Sequence, residues 1–151
     1  MNTLATPNDY AAIQRRIESL TEADRGLWGR MSVQGMVCHL TDAFRLPLGE
    51  RTAERAPGIV WRSGFKWIAL RLPMQWPKGV KTRPEMEQGV GGTVPKDFAV
   101  DREELLAVLE RFTVPCSTHR PAHPIFGRMT EAEWMRWGYL HTDHHLRQFG
   151  R

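Results

Sequence analysis

Residues 130–150 read TEAEWMRWGYLHTDHHLRQFG, and this stretch decides the fold class. Thr130 followed three residues later by Glu133 makes a capping-box pattern, and Gly150 is a helix-ending glycine. The spacing predicts one long helix from about Thr130 to Phe149. At about 100° per residue, positions four apart lie about 40° apart on a helix, so His141 and His145 face the same way. Trp134, Trp137, Gly138 and Gln148 lie on that side. Met135, Tyr139, Leu146 and Phe149 form the neighbouring apolar stripe. Glu133, Arg136, Asp143 and Arg147 are expected towards solvent. The histidines therefore sit at the edge of the buried face. His144 is about 100° from His145, which puts it beside that pair and not in it.

An H-x-x-x-H pair on a helix is a chelating geometry, because two imidazoles one turn apart can reach one ion. A third ligand has to come from elsewhere in the chain. Residues 33–46, VQGMVCHLTDAFRL, follow Ser32, an N-cap residue, and precede Pro47. On that helix His39 shares its face with Gly35, Met36, Ala43 and Leu46. Val33, Val37, Leu40 and Phe44 form the adjoining stripe. Gly35, Ala43 and Gly138 are small, and they are expected to leave room for a metal and a water. Asp42 points near the same space and is a candidate to orient a ligand or bind directly.

Outward from these two helices the pattern stays helical. Tyr10, Ile13, Ile17 and Leu20 have helical spacing over about Asn8–Leu20. Residues 58–72, GIVWRSGFKWIALRL, form another apolar segment that stops at Pro73. Residues 73–100, rich in Pro and Gly, read as a long loop. Asp101 and Glu104 are expected to cap the next helix, REELLAVLERF. No convincing alternating strand is present, so the expected class is all-α, with residues 1–151 as one domain.

Composition narrows the function. The chain has 151 residues, 41% hydrophobic and 25% charged, with a formal charge of +4. The basic residues are scattered, which argues against a nucleic-acid surface. No apolar run approaches the ~20 residues of a membrane span, and no secretory signal is visible, so a cytoplasmic protein is expected. Cys38 and Cys116 are too few for a disulfide framework. Cys38 is expected to be a small buried side chain, and Cys116 an inert one. His119 and His123 fall in a Pro-rich link and read as loop residues. The tryptophans read as core, although Trp61 and Trp76 lie close to the long loop.

The stretches MSVQGMVCHLTDAFRL and HPIFGRMTEAEWMRWGYLHTDHHLRQFG, together with MQWPKGVKTRPE, resemble an uncharacterised branch of the DinB-like superfamily. The resemblance implies a four-helix bundle, here with a long loop between helices three and four. It also implies a divalent transition metal on His39, His141 and His145. Zinc or nickel leads the expectation, followed by iron or manganese. Related proteins include thiol-dependent transferases and isomerases. A small-molecule substrate follows, with a low-molecular-weight thiol as one candidate and a thiol-dependent transferase or metal-activated hydrolase as the activity. Asp42, His144 and Gln148 are the candidate catalytic residues, to move protons or hydrogen-bond a bound species. A non-catalytic metal or small-ligand binding protein is the alternative, and a metal-free helical interaction module the third. Base rates suggest a two-fold homodimer.

Overall fold

The computed structural model describes residues 1–54, 63–71, 76–78, 91–116 and 120–151. Among these it is all-helical: α1 (Pro7–Glu18), α2 (Val33–Arg45), α3 (Ser63–Arg71), α4 (Phe98–Thr113) and α5 (Glu131–Gln148). No helix among the described residues is long and apolar enough to cross a membrane.

Local chemistry sets most helix ends. Ser32 caps α2, its hydroxyl accepting from Gly35 N at 3.0 Å. Thr130 and Glu133 form the expected reciprocal capping box on α5. Gly150 follows with φ of 72°, a backbone conformation that glycine adopts without strain. The start of α4 differs from expectation. It is capped one turn earlier, by Asp97, whose carboxylate accepts from Val100 N at 3.0 Å. Asp101 is already helical, and its carboxylate instead accepts from Lys96 N and Gln34 Nε2. Either aspartate suits an N-cap by type, and the earlier one lets Phe98 pack against the core.

The four longer helices touch in a closed cycle, α1 to α4, α4 to α2, α2 to α5 and α5 back to α1, while α3 packs on α5. Ile13 and Ile17 of α1, Met36, Leu40 and Phe44 of α2, Leu105 and Leu109 of α4 and Leu146 of α5 are all sealed from solvent. Burial on this scale, at roughly 25 cal/mol per Å² of apolar surface, is the main force holding the cycle closed.

Two residues of α5 do other than expected. Gly138 does not open space at the histidines. A Cβ there would meet Leu4 Cδ1 at 2.7 Å and Phe112 Cε1 at 2.9 Å, so its missing side chain lets the core close. Arg136 is buried, not solvent-facing, at 8% exposure. Its guanidinium donates to Leu70 O at 3.0 Å and to Asn2 O at 2.6 Å. A helix leaves its last four carbonyls unpaired, and those of α3 need such partners. Trp76 provides a second, its indole N–H donating to Ala69 O at 3.0 Å. Covering by α3 and the N-terminal segment, which helical angles cannot register, turns Arg136 from surface charge into clamp.

Candidate metal centre

The contact between α2 and α5 brings His39 within reach of the histidine edge of α5. His39 Nε2 lies 3.2 Å from His141 Nε2. One nitrogen from each of His39, His141 and His145 falls within 4.8 Å of the others. The three ring centroids are 4.8 to 5.2 Å apart. His39 and His145 are each 9% exposed.

Three imidazoles converging on one point can offer three nitrogen donors to one ion. A proton shared between His39 and His141 serves one pair only. Zinc–nitrogen bonds of about 2.0–2.1 Å in a tetrahedron place ligand nitrogens about 3.3 Å apart. The 3.2 Å separation of His39 and His141 already matches that edge. The residues present therefore fit a divalent metal.

The tautomer of His145 follows from its neighbours. Gln148 donates its amide N–H to Trp28 O at 2.8 Å, so its Oε1 is the atom 3.1 Å from His145 Nδ1. An oxygen there must accept, so His145 Nδ1 carries the proton and Nε2 keeps the lone pair for a ligand. A hydrogen bond to the outer nitrogen is how metal-binding histidines are aimed. This contact depends on Gly29, which has φ of 80° and whose Cβ would stand 2.7 Å from Gln148 Nε2. Gln148 is thus a holder of His145, with both ends of its amide engaged.

His141 is held by stacking instead. Its ring lies on Trp137 with centroids 5.0 Å apart and planes 29° apart, and Trp76 covers it at 6.1 Å. Its Nδ1 is buried without a hydrogen-bond partner among the described residues. Burial, with the neighbouring His145 and His39, pushes the His141 pKa well below the ordinary 6.5. Burial and His39 push His145 the same way, against the Gln148 hydrogen bond. Both rings are neutral near pH 7, the state that binds a metal.

The remaining candidates divide. His144 stands beside the cluster, its ring 5.3 Å from His145 and half-buried. Burial, then Arg147, lowers its pKa. Asp42 is fully buried, and its carboxylate accepts from Thr93 N at 2.7 Å and Thr93 Oγ1 at 2.6 Å and pairs with Arg51. Arg45, one turn on along α2, adds a longer ion pair at 3.8 Å. Cys38 is buried, and burial followed by Asp101 pushes its thiol up to about 12, which makes it inert near neutral pH. His123 is a loop residue but a buried one. Its Nδ1 accepts from Ile125 N and Phe126 N, tying a turn together. His119, Trp61 and most of the long loop lie outside the described residues.

A family model described as a protein of unknown function, DUF1569, matches residues 8–151. The chain belongs to DUF1569. No curated protein and no solved structure matches it. The DUF1569 match spans α1 to the C-terminus, so both histidine-bearing helices lie within it.

Sequence reasoning missed Trp28, Gly29 and the stacking role of Trp137. Trp137 lay on the histidine side of its helix, and that was its only signal. Trp28 and Gly29 carry no periodic mark, since they sit in the connection between α1 and α2.

Proposed function

We propose that this DUF1569 protein is a DinB-like four-helix bundle that holds a divalent transition metal, zinc or nickel foremost, on His39, His141 and His145. We propose further that it is a metal-dependent enzyme acting on a small molecule, by thiol transfer or metal-assisted hydrolysis. The observation that carries the reading is the convergence of three imidazole nitrogens within 4.8 Å. The cycle α1–α4–α2–α5 supports the bundle.

A divalent metal in that position supplies Lewis acidity, lowering the pKa of a bound water or thiol towards neutrality. The protein's part is positioning. Gln148 fixes the His145 tautomer, Trp137 fixes the His141 ring plane, and α2 brings His39 across. Three protein ligands leave at least one position open, as catalytic metals require. His144 stands where it can exchange a proton with a bound species.

Elemental analysis and metal titration of the purified protein test the reading. One equivalent of zinc or nickel is expected, and His39→Ala or His141→Ala should abolish it. Absence of stoichiometric binding to the folded protein overturns the metal centre. Bound metal with no turnover across small thiols, electrophiles and esters overturns the enzymatic half alone. The burial of His39 and His145 favours one second reading, a closed site that cross-links α2 to α5 without chemistry. Exchangeable water on the metal separates the two.

A further inference from the structure

The mouth of the histidine cluster has a chemistry of its own. The His144 ring is flanked by two indoles, Trp28 at 6.1 Å and Trp76 at 6.4 Å. The ammonium of Lys78 sits 4.4 Å over the Trp28 ring. All three rings are half-buried and keep an open surface, and Lys78 is exposed. The aromatic pair is anchored from two separate parts of the chain. Trp76 is tied through its indole N–H to Ala69 O, and Trp28 through its carbonyl to Gln148.

An exposed lysine ordinarily points into water or meets a carboxylate. Among the described residues Lys78 has no carboxylate partner and meets the indole face of Trp28 instead. A cation–π contact localises the ammonium without neutralising it. Arg147 is also near His144, and its guanidinium is bound at 2.8 Å to Asp143, a carboxylate that it shares with Arg16. Among the described residues the mouth therefore presents apolar ring surface with, at its rim, an ammonium that meets no carboxylate. Its inner side adjoins His145 and His141.

We propose that this mouth binds a small organic monoanion, a carboxylate carried on an apolar or aromatic body. The carboxylate pairs with Lys78, and the body lies against Trp28 and Trp76. This names the substrate class of the proposed centre, and it rests on that reading only for the word substrate, because the binding itself needs no metal. Lys78 offers a point charge and not an arginine's fork, which matches one negative charge better than a phosphate's two.

Isothermal titration of the full-length protein with 4-phenylbutanoate and its neutral amide, 4-phenylbutanamide, tests this. Both zinc-loaded and metal-free samples are measured. The acid is expected to bind about fivefold tighter than the amide, the size of one partly exposed ion pair. In Lys78→Gln that ratio should fall to about one, with zinc stoichiometry unchanged. In Trp28→Leu both ligands should weaken together. The proposal is overturned if neither ligand binds, if acid and amide bind alike, or if the acid preference survives Lys78→Gln. A preference that survives Lys78→Gln and disappears on metal removal assigns the carboxylate to the metal. Failure of the metal centre is read separately, from the zinc titration, while the metal-free sample still decides the mouth.

Discussion

His39 and Asp42 lie one turn apart on α2, both buried and both polar, yet they meet opposite fates. Asp42 has its carboxylate taken up by protein donors, the Thr93 amide and hydroxyl and the Arg51 guanidinium. His39 faces two further imidazoles, and in that group the Nδ1 of His141 is left without a partner. A buried polar group whose bonds are complete holds structure together. Three imidazoles that converge on one point from two helices are arranged for something else. On one helix, then, saturation marks the structural end and convergence the candidate centre.

The largest effect should come from breaking the saturated side. Asp42→Ala leaves Arg51 and the Thr93 amide facing a vacated buried position and should cost about 3 kcal/mol or more. Urea denaturation would show it, while metal stoichiometry at the folded baseline stays the same. If zinc binding is lost instead, Asp42 belongs to the centre and the contrast collapses.

Gln148→Leu cuts the orienting bond on the convergent side. Loss of an orienting hydrogen bond typically lowers metal affinity about 10–100-fold, so a shift in that range is expected in a competitive zinc titration. Unchanged affinity would mean that packing alone aims His145.

The smallest effect is the pH dependence of the metal-free protein. Folded His141 and His145 have pKa values well below 6.5, whereas in the unfolded chain they regain the ordinary value. Below about 6.5 the unfolded state therefore binds more protons, and stability falls as pH falls. The slope is at most about 1.4 kcal/mol per pH unit for each histidine. Urea midpoints at pH 8, 6.5 and 5.5 should decline in that order. His141→Gln should flatten the decline, and a flat wild-type profile would show that these rings are not held neutral.

Much of this was legible in the sequence because it is local. Thr130 with Glu133 announces the start of α5, and Ser32 that of α2. Four-residue spacing pairs His141 with His145 whatever the surroundings. What escaped depends on contacts between distant segments. Arg136 is a surface residue by helical angle and a clamp only once α3 and the N-terminal segment cover it. Gly138 looks like room for a metal until Leu4 and Phe112 fill that side. Gln148 acquires its role from Trp28, 120 residues earlier.

By itself the sequence determined an all-helical chain with one two-histidine edge and a third histidine on an inward face. Helix periodicity and capping act over three or four residues, so they can be read from the order of the residues alone. Only the tertiary structure decided that the three rings meet, which nitrogen of His145 keeps its lone pair, and which aromatic side chains and cation stand at the mouth. Those outcomes depend on how whole helices pack, and packing distances between remote segments leave no trace in local spacing.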